Sequence, residues 1–95
     1  MKNCHIAKYI YNGREFRCTV SPIMGSYEWL EVSIEELVRP NWKFFRYRYR
    51  DTKSFFPSDY ESIDKAVKTM IAKVIQQEDE RNKAAKDFEN FCRMA

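Results

Sequence analysis

Two periods divide the chain. Through about residue 57 apolar side chains alternate with polar ones, as on a half-buried strand. From Ile63 they recur every three or four residues, as on a helix packed along one side.

Asn12-Gly13, between two runs rich in β-formers, predicts a two-residue type I′ hairpin, whose central residues both need φ > 0. That loop length fixes the register: Tyr11 opposite Arg14, Tyr9 opposite Phe16, Ala7 opposite Cys18 and His5 opposite Val20. Ala7, Tyr9, Tyr11, Phe16, Cys18 and Val20 then form the core side. The other side sets Lys8 against Arg17, a like-charge pair that needs water or an anion to screen it. An anion site there requires Arg46, Arg48 and Arg50 on the same face.

Pro22 and Met24-Gly25-Ser26 end the second strand, and a third begins near Tyr27, with Leu30, Val32 and Ile34 alternating against Glu31, Ser33 and Glu35. Ser33 and Glu36 also have capping-box spacing. The strand is therefore predicted through Val32 or Ser33, and residues 34–38 stay open between strand and a helical turn before Arg39-Pro40.

The run Trp42 to Arg50 sorts into two faces. Phe45, Tyr47 and Tyr49 are assigned to the core. Trp42, Phe44, Arg46, Arg48 and Arg50 are assigned to a binding surface, an aromatic step followed by three guanidinium groups. Asp51 to Ser54 reads as a turn or short loop. Ser58 and Glu61 form a capping box, with Asp59 and Asp64 near the positive end of the helix dipole. Ile63, Ala66, Val67, Met70, Ile71, Val74 and Ile75 make the stripe that covers the sheet.

No Gly or Pro follows Pro57, and a continuous helix from 59 to 93 would run about 50 Å, longer than a small sheet can cover. Gln76 to Lys83 is polar throughout, after which Ala84, Ala85, Phe88, Phe91 and Cys92 resume the stripe. The favoured reading breaks the helix near residues 78–82 and folds a second helix back, so that Phe88 and Phe91 finish the core. In the other reading the helix projects, and Phe88 and Phe91 bind a partner or a second copy, giving a homodimer.

The expected fold is a single α+β domain over residues 1–95, with a sheet region at 1–57 and a C-terminal helical region at 58–95. A small antiparallel sheet of three or four strands, in β-β-β(-β)-α order, is packed by a long C-terminal helix. Its expected core is Tyr9, Phe16, Val20, Leu30, Val32, Phe45, Tyr47, Ile63, Val67, Met70, Ile71 and Val74. Fifteen of the 95 residues are Phe, Trp or Tyr, and such rings enlarge the area a short chain can bury.

Charge refines the functional classes. The net +3 is too small to imply a polyanion partner, but residues 1–50 carry +4 and residues 51–95 carry −1, so the basic excess lies in the sheet half. Cys4, Cys18 and Cys92 are odd in number and widely spaced, which favours free thiols in a reducing cytoplasm. Neither a signal peptide nor a membrane span is expected.

His5 is the only histidine, and Cys18 falls on the core side, where a thiol is inert. No catalytic residue, metal site or cofactor is expected. The reading that remains is a non-enzymatic cytoplasmic interaction module for a protein partner, an adaptor or inhibitor of the size and style of small phage or mobile-element accessory proteins. The alternative is a nucleic-acid-binding domain using the Arg46, Arg48 and Arg50 face, with Trp42 and Phe44 stacking on bases. The β-β-β-α order is similar, in topology alone, to three-stranded DNA-binding domains that set a sheet into the major groove.

Overall fold

The computed structural model describes residues 4–94 apart from Trp42 and the side chains of Pro40 and Asn41. Strands β1 (His5–Tyr11), β2 (Arg14–Ile23), β3 (Ser26–Asn41) and β4 (Phe44–Phe55) form one antiparallel meander in the order β1-β2-β3-β4. A 3-10 turn (Pro57–Asp59) leads to a single helix, α1 (Ile63–Met94).

Asn12 and Gly13 take φ of 50° and 76°, and β1 pairs with β2 in the predicted register. Tyr11, expected on the core side, is exposed at the hairpin end. Met24 and Gly25, with φ of 54° and 76°, make the next turn.

β3 continues through residues 34–38, because Ile34 and Glu36 pair on both sides, with Cys18 and Phe16 of β2 and with Asp51 and Arg48 of β4. Asp51 to Ser54 is strand and not a turn. The ladder slips by one residue here: Ile34 opposes Asp51 while Glu35 opposes Tyr49, so Arg50 is extra. This bulge switches the parity of β4 and brings Phe55 into the core.

The core between sheet and helix contains Phe16, Cys18, Leu30, Val32, Ile34 and Phe55 from the strands. Ala66, Val67, Met70, Ile71, Val74 and Ile75 come from α1, and Tyr9 and Val20 pack at its margin. Three expected core residues lie elsewhere. Phe45 is 66% exposed and Tyr47 half-buried, because β3 sets the face: Glu36, on the helix side, opposes Arg48, which turns Phe45, Tyr47 and Tyr49 to the uncovered side. Ile63 stands at the helix entrance and is exposed.

The helix cap also differs. Ser62 Oγ accepts from the Lys65 backbone N–H at 3.1 Å, and Ser62 O accepts from Ala66 N–H, whereas Ser58 sits in the 3-10 turn. Tyr9 donates its hydroxyl to Asp64 Oδ1 at 3.0 Å, fastening the first helical turn to β1.

The favoured break at 78–82 does not occur. All 32 residues of α1 are continuous, about 48 Å at 1.5 Å per residue, and every described helical residue after Glu78 is exposed. Without a residue that stops a helix, the polar stretch remains helical and carries Phe88 and Phe91 away from the core. The radius of gyration is 16.7 Å, against about 12.4 Å for a compact domain of this length. Among the described residues, no helix is long and apolar enough to cross a membrane.

Candidate interaction surface

The point where α1 leaves the sheet is held by four charged residues. Arg14 opens β2, Glu36 follows Ile34 on the helix side of β3, Arg50 is the bulged residue of β4, and Glu78 lies one turn beyond Val74. Arg14 donates to Glu36 through Nε at 2.7 Å and Nη2 at 2.8 Å, a two-pronged contact, and Nη2 also donates to Glu78 Oε2 at 2.8 Å. Arg50 reaches Glu36 Oε1 at 3.1 Å and Glu78 Oε2 at 3.3 Å. Glu36 is only 7% exposed.

Two cations and two anions thus form a neutral clasp across three strands and the helix. The hydrogen bond from Arg14, assisted by the field of Arg50, lowers the Glu78 carboxyl against the opposing effect of burial. The bond to Glu36 pushes the Arg14 guanidinium further up.

Beyond the clasp two arms are exposed. One is the outer half of α1, where Phe88, Phe91 and Met94 are 68%, 66% and 87% exposed. The other is the far end of the β3–β4 hairpin, which exposes Phe44, Phe45, Arg46 and Arg48. At their root lies a cleft of about 500 Å³, to which Arg48 and Arg50 contribute from β4 and Glu78, Arg81 and Asn82 from α1. Among the described residues neither Arg48 nor Arg81 forms an ion pair.

Arg46, Arg48 and Arg50 therefore share the helix side of the sheet, as the two-residue period predicts, but they do not act alike. Arg50 is bound into the clasp, with a side chain 10% exposed. Phe44 is exposed in the same arm, Trp42 lies outside the described residues, and Phe88 and Phe91 lie on the other arm.

The opposite face of the sheet is uncovered. There Arg17 pairs with Glu35 at 2.9 Å and stacks 3.8 Å above the Tyr47 ring, whose hydroxyl donates to Glu15 at 3.0 Å. These contacts screen Arg17 from Lys8, and Arg46, Arg48 and Arg50 lie on the other face, so the condition for an anion site is not met.

The sequence reading placed none of Arg14, Glu36, Glu78 and Arg81 on the binding surface. Parity holds the signal for two of them: Glu36 continues Leu30, Val32 and Ile34, and Arg14 precedes Phe16, Cys18 and Val20, so both are charges at core-facing positions. Burial pushes the Cys18 thiol up to about 11, which makes its thiolate scarce, while His5 is exposed. Among the described residues no group of three or more His, Cys, Asp or Glu is placed to hold a metal ion.

Compared with family models, curated proteins and solved structures, the chain gives no match in any of the three.

Proposed function

We propose that this chain is a non-enzymatic cytoplasmic interaction module, an adaptor or inhibitor, that binds a protein partner through the outer half of α1 and the arginine-bearing arm of β4. The observation that carries the reading is the overhang itself. A helical segment without tertiary packing is marginal in water, and this one presents Phe88 and Phe91 at 68% and 66% exposure. Aromatic and arginine side chains are also those most enriched at binding hot spots. Arg50 serves the fold, leaving Arg46 and Arg48 for contact.

The test is capture from a nuclease-treated native lysate, with the tagged chain beside Phe88→Ser/Phe91→Ser and Arg46→Ala/Arg48→Ala variants. A stoichiometric protein should survive nuclease and be lost from the first variant. Undiminished capture by that variant would remove the helix from the interface.

A second reading, nucleic-acid binding, is favoured by one observation: Arg48 and Arg81 face one cleft and neither is neutralised by a carboxylate among the described residues. Binding to single-stranded DNA or RNA would then fall steeply as salt rises. Weak, salt-insensitive binding would count against it.

A further inference from the structure

The two edges of the sheet differ. β4, at one edge, carries a bulge at Arg50 and the charges of Arg46, Arg48 and Lys53, features that keep an edge from pairing. β1, at the other, pairs with β2 from His5 to Tyr11 without a slip and contains no proline, no acid and a single lysine, Lys8. The two-residue turn makes Tyr11 and Arg14 a hydrogen-bonded pair, and the ladder alternates from there, so Tyr9, Ala7 and His5 also exchange bonds with β2. Ile6, Lys8 and Ile10 therefore point their backbone N–H and C=O groups outward along a regular edge.

Apolar side chains flank this row on both faces. Ile6 and Ile10 are 59% and 68% exposed on the uncovered side of the sheet. Ile63 is 44% exposed on the helix side, where with His5, Ala7, Tyr9, Val20 and Leu30 it lines a hollow of about 300 Å³. Among the described residues these are all of the exposed isoleucines. Between Ile6 and Ile10 stands Lys8, opposite Arg17. Arg17 is bound to Glu35 and stacked on Tyr47, whereas Lys8 forms no ion pair among the described residues.

We infer that β1 is completed by an extended segment of another protein, added antiparallel as a fifth strand with an acidic residue opposite Lys8. An extended backbone meets the outward N–H and C=O groups in turn and leaves the sheet as it is. Its acid pairs with Lys8, apolar residues two positions to either side cover Ile6 and Ile10, and the side chain opposite Ala7 enters the hollow. A second copy does not supply that acid. Pairing of β1 with itself leaves Lys8 opposite Lys8 or an uncharged residue, and the one acid of β4, Asp51, adjoins the bulge. Because β1 and β4 are opposite edges, this contact is separate from the α1 overhang and the arginine arm, and it adds a second contact to them.

The probe is the capped peptide Thr-Val-Thr-Glu-Leu-Val-Thr, whose Glu falls opposite Lys8 and whose Leu falls opposite Ala7 in antiparallel pairing. It is titrated into the full chain while amide hydrogen exchange is followed residue by residue. In the free chain the amides of Ile6, Lys8 and Ile10 should exchange fast and those of Ala7 and Tyr9 slowly. Peptide at about ten times its Kd should slow the first set about tenfold. N-methylation of the peptide's Glu, which removes the donor to the Lys8 carbonyl, should weaken binding at least about tenfold. Lys in place of that Glu should weaken it about fivefold. Lys8→Glu should reverse this preference, which nonspecific adhesion of apolar side chains does not do. Lys8 is exposed, and circular dichroism verifies the fold of the variant. If the variant does not fold, the N-methylated peptide tests the same edge on the unaltered chain.

Slow exchange at Ile6, Lys8 and Ile10 in the free, dilute chain overturns the proposal, since the edge is then already paired. Protection of these amides that grows with protein concentration alone assigns the edge to a second copy and also overturns it. So does a peptide that fails to bind or that binds while these amides stay fast, and so does an unchanged preference in a folded Lys8→Glu variant. Saturable binding with protection of the alternate amides and a reversed preference supports the fifth strand, whether or not the α1 overhang captures a partner.

Discussion

Glu78 on the helix and Arg14 at the start of β2 meet at 2.8 Å across 64 residues of sequence, at the point where α1 leaves the sheet. Arg14 also grips Glu36 with two donors, so this contact joins the last packed turn of the helix to the central strands. The clasp is therefore the boundary between a folded body and two uncovered arms.

Glu36→Gln should destabilise the body by about 3 kcal/mol. The substitution leaves Arg14 and Arg50 with less countercharge in a site where Glu36 is 7% exposed, and breaking one side of a buried ion pair costs about 3–5 kcal/mol. Urea unfolding of wild type and variant measures it. A loss under about 1 kcal/mol would mean that water, not protein, satisfies the clasp.

Acid should weaken the clasp through Glu78. Its folded carboxyl lies below the ordinary 4.5, so the stability it contributes is present above that value and is lost as pH falls through the folded value. Glu78→Gln should lower stability near neutral pH and flatten the decline below about pH 4.5. An unchanged acid limb in the variant would show that other carboxyls control it.

Met24 pays for a left-handed backbone that its side chain does not justify. It has φ of 54° and is 94% exposed, so Met24→Asn should relieve strain without removing packing. A gain of about 0.5–1 kcal/mol, or several degrees in Tm, is expected in a thermal melt.

Val67→Asp should abolish cooperative unfolding. Val67 is fully buried between helix and sheet, where an unpaired carboxylate costs several kcal/mol, comparable with the whole stability of a small domain. A melt that matches wild type would refute the packing of α1 on the sheet.

The first hairpin was legible because its information is local. Asn12-Gly13 fixes a turn, the turn fixes a register, and every pair from Tyr11–Arg14 to His5–Val20 follows. The helix stripe from Ala66 to Ile75 was legible for the same reason, since a helix repeats within its own sequence. The split of β4 into an arginine side and a tyrosine side was also fixed by its period.

What the sequence left undecided were relations between distant segments. Which side of β4 faces the helix depends on β3, where Glu36 opposes Arg48, and the bulge at Arg50 reverses that parity before Phe55. The aromatic side therefore meets water, although burial of rings was the natural expectation.

The clasp could form only after β2, β3, β4 and α1 had assembled, because its charges come from all four elements. Residue period by itself determined the elements, the first register and the helix stripe. Tertiary structure decided which faces were covered, that α1 runs on as one helix past Glu78, and that Arg50 belongs to the fold while Arg46 and Arg48 remain exposed. The physical reason is that a backbone period orders side chains along one element, whereas burial is a property of what packs against it.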